Sequence, residues 1–276
     1  MKLFALLFVL FTPFTKGASA QETQIRTSNH DWDYQLMFQG RSYTAGAVGQ
    51  ATIGHWFLLW GQSPLPSLPP VGPAEGGSPG WQFGYIRPVV TLQSAGVMNR
   101  ATVELEFFPI SIFGIAVGQG MHQRPNFSQQ FDCKQVSCSG WLSRTSLRGQ
   151  FVVGAAGLFA GFIVRREWVS SENKTKPFTD EGMGVLGNTG QDSLLTATWA
   201  LGYQLHPKWA VGAQVIRGAA LTHPNHSLTS ALFVNYFRGS TSYIVGGGSY
   251  VSDFVRPGFT MVTMIVFNGI RPIGFL

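Results

Sequence analysis

Between residues 195 and 217, large apolar residues alternate with small or polar ones, apart from a break at residues 206–208. The apolar face of the first run consists of Leu195, Ala197, Trp199, Leu201, Tyr203 and Leu205. A period of two is that of a β-strand, whose successive side chains point to opposite faces. The pattern therefore predicts two antiparallel strands that are joined at residues 206–208.

The apolar faces of these strands extend over about ten residues, which is the length of a strand that crosses a membrane at a tilt. The opposite face carries residues such as Thr198, Ala200 and Gly202, which are too small to fill a packed core. Aromatic residues near strand ends are typical of a membrane-spanning β-barrel. We therefore expect the aromatic residues Trp199, Tyr203 and Trp209 to contact lipid at the membrane interface.

Similar alternation along the chain predicts an all-β fold, a single antiparallel up-and-down transmembrane β-barrel. Counting back from the carboxyl end gives about twelve strands, with ten or fourteen as alternatives, and an even count keeps both termini on one side. The predicted strands are 32–39, 43–58, 81–92, 100–107, 110–119, 141–153, 158–168, 194–205, 209–217, 228–237, 241–251 and 259–267.

The predicted connections are mostly short at one end of the barrel and mostly long at the other. The short links are 108–109, 154–157, 205–208 and 238–240, and the long ones are 121–140, 170–191 and 218–227. Segment 61–80 breaks this pattern, because it is long and rich in proline and yet falls on the side of the short links. Either the barrel has one long loop on that side or an early strand is miscounted.

Composition supports a membrane location without helices. Asp, Glu, Lys and Arg make up 12% of the chain, roughly half the usual share of a soluble protein. No run of 18 or more apolar residues follows the amino-terminal segment, so helical spans are not expected. The mild basic balance favours contact with anionic lipid head groups and does not indicate a nucleic-acid binder.

The amino-terminal segment 1–20 has the features of a secretory signal peptide, with Lys2, an apolar run and Ala18-Ser19-Ala20 as an A-x-A cleavage site. Removing Lys2 and Lys16 lowers the formal net charge from +6 to +4. We expect residues 21–31 to form a short extension and residues 32–276 to form the barrel.

The chain resembles bacterial outer-membrane β-barrel proteins as a class. The resemblance rests on the alternating strands, on the terminal strand 259–267 and on aromatic strand ends at Trp81, Trp141, Trp168, Trp199, Tyr203, Trp209 and Tyr236. It implies export to the bacterial outer membrane and contact with its lipids. The class usually ends on an aromatic residue, whereas here Phe275 is penultimate and Pro272 interrupts the approach.

The two cysteines, Cys133 and Cys138, lie in a polar segment of the long link 121–140. In an exported chain they are expected to form a disulfide. Two thiols without a nearby cluster of His or carboxylates do not complete a zinc shell, and their spacing is not the C-x-x-C redox spacing. We expect no metal and no cofactor.

Four charged residues are predicted to meet in the lumen. Alternation puts Glu104 and Glu106 on the inward face of one strand and Arg144 and Arg148 on the inward face of another. The strand between them, 110–119, has glycine and alanine inward, and strands two apart are separated by roughly 10 Å, which long side chains bridge. This cluster has three interpretations. It is a salt-bridge network that stiffens the barrel, a charged constriction that filters solutes, or a group that performs acid/base chemistry.

Arg165, Arg166 and Arg217 lie near predicted outer strand ends, where arginine meets lipid phosphates or snorkels at the interface.

Our leading hypothesis for function is a passive narrow pore or a structural barrel that contacts lipids and small solutes. The alternative is a surface recognition or adhesion protein that acts through loops 121–140 and 170–191. A membrane-embedded hydrolase is third, and we expect no enzyme, since adjacent His226 and Ser227 would point to opposite faces of a strand. Sequence leaves the oligomeric state open.

Overall fold

The computed structural model describes residues 30–42, 46–61, 83–95, 98–124, 131–155, 157–180 and 182–268. Their strands are β1 His30–Arg41, β2 Gly46–Gly61, β3 Phe83–Ser94, β4 Asn99–Ile110, β5 Phe113–Arg124, β6 Gly140–Ala155, β7 Leu158–Ser171, β8 Pro177–Asp180, β9 Val185–Thr189, β10 Gln191–His206, β11 Trp209–Ala220, β12 Asn225–Arg238, β13 Thr241–Ser252 and β14 Val255–Asn268. Twelve of them close into one barrel of antiparallel neighbours, and β8 and β9 form a separate hairpin. The predicted twelve-strand up-and-down barrel is confirmed.

Each predicted strand overlaps an observed barrel strand, but two features differ. The predicted link 108–109 is wrong, because β4 continues to Ile110 and the turn lies at Ser111 and Ile112. The register of β4 against β5 shifts between Phe107 and Ile110, so Pro109 occupies an irregular position where a missing N–H is tolerated. The second difference is the β8–β9 hairpin, which lies inside the predicted loop 170–191.

Alternate residues of each strand face opposite sides of the barrel wall. On β10, Trp199, Leu201 and Tyr203 are exposed on the outer wall, whereas Thr198 and Ala200 are buried inside. The outer wall therefore carries a continuous surface of large apolar side chains, as a barrel in a lipid bilayer requires. Among the described residues, no helix is long and apolar enough to cross a membrane.

Four short turns, those after β4, β6, β10 and β12, share one end of the barrel, and the name short turns is kept for these four. Strand directions put the end of β2 at Gly61 and the start of β3 at Phe83 at that same end, so the proline-rich segment 61–80 joins strands on the side of the short turns, as the twelve-strand count predicted. Apart from Gly61, this segment lies outside the described residues, as do the predicted signal peptide 1–20, most of the extension 21–31, Trp81, Pro272 and Phe275.

The lumen is filled in layers. Near the short turns, inward side chains form an apolar cluster that contains the aromatic residues Trp56, Phe83, Tyr85, Phe108, Phe159, Phe233 and Phe237. Near the opposite end, a smaller apolar cluster joins the β8–β9 hairpin to the wall through Leu142, Val169, Phe178, Met183, Val185, Leu194 and Ala220. Buried charged residues lie between the two clusters.

Candidate functional site

The four predicted charged residues all point into the lumen and are buried. Glu104 and Glu106 lie on β4, Arg148 lies on β6, and β5 runs between them. Arg148 Nη2 lies 3.4 Å from Glu104 Oε2 and also pairs with Glu106 Oε1. The side chains of β4 and β6 therefore meet across the intervening strand.

Small residues on β5 leave room for these contacts. Glu106 and Arg148 are both register partners of Ala116, so their side chains cross above a methyl group. A Cβ atom built on Gly118 would lie 2.6 Å from Glu104 Cγ, so the carboxylate side chain rests directly on the glycine.

Arg144, the fourth predicted residue, has different partners. Its Nη1 lies 2.6 Å from Glu167 Oε2, and its Nη2 lies 2.6 Å from Asp180 Oδ2 and 3.2 Å from His122 Nδ1. Asp180 is the last residue of β8. Arg144 therefore connects the barrel wall to the hairpin rather than to Glu104 or Glu106.

Six further charged residues, none of them assigned to the lumen from the sequence, extend the ion pairs on both sides. Arg87 pairs with Glu106 at 2.9 Å and with Asp33 on β1. Arg165 pairs with Glu104 and lies 3.7 Å from Glu167. We call the connected group the ion-pair belt, and its members are Asp33, Arg87, Arg100, Glu104, Glu106, Arg144, Arg148, Arg165, Glu167 and Asp180. Inward alternation on β3 and β7 is the sequence signal that could have found Arg87, Arg165 and Glu167.

The ion-pair belt is electrically balanced. Its five arginines face five carboxylates, and none of these side chains is more than 13% exposed. A buried charge without a partner is strongly unfavourable, whereas bidentate guanidinium–carboxylate contacts compensate much of that cost. The belt can therefore remain ionised inside the barrel and can present fixed charges of both signs to a solute.

The β8–β9 hairpin folds into the mouth of the barrel opposite the short turns. Asn225 of β12 binds the backbone of Leu186 twice, accepting from its N–H at 2.9 Å and donating to its carbonyl at 2.6 Å. Ser227 donates to the carbonyl of Met183, and Thr196 donates to the Met183 sulfur at 2.9 Å. The hairpin is thus fixed to β10 and β12 as well as to Arg144.

The predicted disulfide between Cys133 and Cys138 is present, with Cα atoms 5.4 Å apart. Beside it, the Ser137 N–H donates to the Pro177 carbonyl at 2.8 Å, which places Ser137 against the edge of β8. Arg124 donates to the carbonyls of Ser137 at 2.5 Å and Ser139 at 2.6 Å. The described parts of loops 121–140 and 170–191, expected to bind a partner in the recognition hypothesis, pack against each other at the mouth.

The predicted lipid-interface residues separate into two groups. Arg165 points into the lumen and joins the ion-pair belt, so the prediction that it contacts lipid is wrong. It is adjacent to Arg166, and neighbouring residues of a strand face opposite sides. The residues that lie exposed on the outer wall are Arg166, Trp199, Tyr203, Trp209 and Arg217.

Aromatic rings on the outer wall are grouped. Trp209 lies 4.7 Å from Tyr236, and Tyr236 lies 6.2 Å from Tyr243, between ring centroids, which forms a row near the short turns. The ring centroids of Trp199 and Phe162 lie 5.5 Å apart in the middle of the wall.

In the part of the chain that the structure describes, no three His, Cys, Asp or Glu residues are arranged to hold a metal ion.

No protein-family description and no curated protein sequence matches this chain. Among solved structures, the chain is similar to the KdgM porin in complex with disordered oligogalacturonate, at 13% identity over 85% of this chain and 98% of that chain, with a TM-score of 0.43. It is similar to the NanC porin at 11% identity over 85% and 98% of the two chains, with a TM-score of 0.42.

An outer-membrane channel from Pseudomonas putida F1 is 7% identical over 91% of this chain and 99% of that chain, with a TM-score of 0.49. Likenesses of this degree carry no inference about a transported solute. The closed twelve-strand barrel with its apolar outer wall confirms the predicted resemblance to bacterial outer-membrane β-barrels at the level of fold.

Proposed function

We propose that this chain is a bacterial outer-membrane barrel, exported by its amino-terminal signal peptide, that forms a narrow passive channel for small solutes. The ion-pair belt is its constriction, and the β8–β9 hairpin closes one mouth in the conformation described here. The observation that carries the proposal is the continuity of the belt, which runs through ion pairs from Asp33 on β1 to Arg144 on β6 and Glu167 on β7.

A structural barrel would need none of these charges, because well-packed apolar side chains of similar volume stabilise an interior at least as well as buried ion pairs do. Rings of fixed charge are, in contrast, how narrow pores discriminate between ions. The belt contains both signs, so separating one ion pair leaves a charge that attracts a passing solute of opposite sign.

The hairpin supports a channel that opens and closes. It is held by an apolar cluster, by hydrogen bonds and by one ion pair, Arg144 with Asp180, rather than by pairing with a barrel strand. None of these contacts belongs to the strand pairing of the barrel itself. Moving the hairpin outward breaks these contacts and leaves the pairing of the twelve barrel strands intact.

A structural barrel is the second candidate, and one observation favours it. The apolar cluster near the short turns crosses the lumen, and rings such as Phe108, Phe159 and Phe233 rest on inward glycines at Gly114, Gly202 and Gly212. An apolar layer of this kind excludes water. The structural candidate requires this layer to stay closed, and the channel candidate requires it to open.

Planar-bilayer conductance of the refolded protein separates the two candidates. The proteins compared are the wild type, a variant with residues 177–189 replaced by a short Gly-Ser linker, and the belt variants Arg148→Gln and Glu104→Gln. Arg238→Gln is the control, because Arg238 is exposed at the end of β12. Heat-modifiable migration on gels establishes folding of each variant first.

We expect the linker variant to conduct more than the wild type, since its mouth is open. Reversal potentials in a salt gradient should move toward cation selectivity in Arg148→Gln and toward anion selectivity in Glu104→Gln, with no change in Arg238→Gln. Absence of conductance in both the wild type and the linker variant would reject the channel and leave the structural barrel. Unchanged selectivity in both belt variants would reject the belt as the constriction.

A further inference from the structure

Two arginines lie on the outer wall, on the side away from the lumen. Arg166 on β7 and Arg217 on β11 are exposed, and β10 runs between their strands. Among the described residues neither forms an ion pair with a carboxylate. A cation on a lipid-facing wall is unfavourable by about 2–4 kcal/mol at the membrane midplane and by much less at the interface. Their height on the wall therefore decides what they can bind.

Both arginines lie near the edge of the apolar band. Arg166 is a register partner of Leu195, and Arg217 is a register partner of Ala197. Leu205, at the other end of β10, lies ten residues along the strand from Leu195, a rise of roughly 25 Å for strands tilted by about 40°. An apolar band of that height matches the hydrocarbon thickness that outer-membrane barrels span. Arg166 thus lies level with the edge of this band, and Arg217 lies two residues nearer its middle, a distance that its long side chain spans to reach the lipid head groups.

Arg166 is held in place by its neighbours. Its guanidinium carbon lies 5.0 Å from the centroid of the Trp168 ring, and its Nε donates to Ser193 Oγ at 2.8 Å. Stacking and this hydrogen bond fix the plane of the guanidinium. Its two terminal nitrogens make no hydrogen bond to a described residue, so they are available to a ligand.

The two guanidinium groups can reach one ligand. Their strands are two apart, which separates their backbones by roughly 10 Å across the wall, and both side chains are long. On β10 between them, Leu195 is level with Arg166 and Ala197 is level with Arg217. A ligand that lies over this stretch of β10 has an arginine strand on either side and the Trp168 ring beside Arg166, which is the chemistry that recognises a phosphate.

We propose that Arg166 and Arg217, with Trp168 as a stacking support, bind the phosphate of an anionic bilayer lipid on the outer wall. The phosphate accepts hydrogen bonds from the terminal nitrogens of both guanidinium groups, and the acyl chains lie along the apolar residues below, toward Trp199 and Leu201. The site fixes one lipid to β7, β10 and β11 at the end of the barrel where the hairpin lies. It is independent of whether the lumen conducts.

Native mass spectrometry of the refolded full chain in detergent tests this site with phosphatidic acid as the probe. Arg166→Gln/Arg217→Gln is compared with the wild type and with Lys208→Gln/Arg238→Gln, which removes the same charge from exposed positions near the short turns. Palmitic acid tests whether any anionic lipid binds, and inorganic phosphate tests whether free phosphate competes. Each single variant, Arg166→Gln and Arg217→Gln, is measured as well, in case the double variant does not fold.

We expect the wild type to retain one phosphatidic acid molecule with at least tenfold higher affinity than Arg166→Gln/Arg217→Gln, while the Lys208→Gln/Arg238→Gln control stays within a factor of two or so, because a lost charged hydrogen bond has an effect of about tenfold. Equal retention in the double variant and the wild type would overturn the proposal. Equal losses in the control, or equal binding of palmitic acid, would overturn it too, since they indicate general attraction. Displacement by inorganic phosphate alone would assign the site to free phosphate instead.

Discussion

At the scale of single residues, the lumen depends on where side chains are absent. A Cβ atom built on Gly54 of β2 would lie 2.5 Å from Arg87 Nε, and one on Gly118 of β5 would lie 2.6 Å from Glu104 Cγ. In both cases a long charged side chain crosses its neighbouring strand above a glycine to reach a partner two strands away. The ion-pair belt therefore requires small residues on the strands between its members.

Gly118→Ala tests this requirement. The new methyl group would meet Glu104 Cγ at 2.6 Å and the Val103 carbonyl at 2.9 Å, so both the side chain and the backbone must shift. Overpacking of this kind typically lowers the free energy of unfolding by about 1–3 kcal/mol. Urea unfolding in lipid vesicles measures the change.

Gly149→Ala on β6 is the matched control, because no atom lies within 4 Å of the added Cβ. Its free energy of unfolding should stay within about 0.5 kcal/mol of the wild type, as for most exposed substitutions. Equal stability of Gly118→Ala and Gly149→Ala would contradict the close approach of Glu104 to β5.

At the scale of elements, the β8–β9 hairpin lacks a hydrogen-bonded barrel strand on either side. Asn225 supplies what a neighbouring strand would give, since its side-chain amide binds both the N–H and the carbonyl of Leu186. Its own backbone remains paired with Ala220 of β11. One side chain thus joins the hairpin to the wall without adding a strand to the barrel.

Asn225→Ala should loosen the hairpin and leave the barrel intact. The loss of both hydrogen bonds leaves the Leu186 backbone unsatisfied, and an effect of ~1.4 kcal/mol corresponds to about tenfold faster exchange of its amide hydrogen. Hydrogen–deuterium exchange of residues 177–189 measures this change. Asn173→Ala is the control in the same loop, because the Asn173 side chain binds Thr175 within its own turn and no other described residue. Similar exchange in Asn225→Ala and wild type would contradict the role of Asn225.

The hairpin also marks the limit of sequence analysis. The barrel strands were predictable because each alternates over many residues, and alternation also gave the inward direction of Glu104 and Arg148. β8 and β9 have four and five residues, too few for a period of two to be recognised. The burial of Phe178 depends on Gly187 beneath its ring, a contact across the hairpin turn. For the same reason Asp180, the belt residue on the hairpin, could not be predicted.

Arg144 and Arg165 illustrate the two kinds of site error. Alternation put Arg144 in the lumen, but its partner Asp180 comes from the hairpin, so its contacts could not be derived from barrel strands alone. The position of Arg165 near a strand end suggests the lipid interface. Arg165 and Arg166 are neighbours in one strand, however, so their side chains face opposite sides of the wall. Applying the period of two to β7 would have put Arg165 inside, where Glu104 and Glu167 meet it.

At the scale of the whole molecule, the barrel depends on the seam where the first and last strands meet. β1 pairs with β14 over residues 35–41 and 262–268, whereas it pairs with β2 along its full length from His30 to Arg41. Within the described residues, His30 to Tyr34 have no register partner on β14. The seam is therefore shorter than the neighbouring pairing.

A buried hydrogen bond lies at the end of the seam. Gln35 Nε2 donates to Asn268 Oδ1 at 2.9 Å, between inward side chains of β1 and β14. A buried amide that loses its partner lowers the free energy of unfolding by about 1–3 kcal/mol. We therefore expect Asn268→Ala to convert to the unfolded gel band at a lower temperature than the wild type. The matched control is Asn99→Ala, because the Asn99 side chain accepts from Ser94 at 2.8 Å in an exposed position.

The double-mutant cycle of Gln35→Ala and Asn268→Ala separates this bond from other effects of each substitution. Residues that share a hydrogen bond give a coupling energy of about 0.5–1.5 kcal/mol, whereas residues that act independently give changes that add. Unfolding of both single variants and of the double variant in the same vesicles measures it. Additive changes would show that Gln35 and Asn268 do not hold β1 and β14 together. A coupling in the expected range, with Asn99→Ala unchanged, locates part of the stability of the closed barrel at its seam.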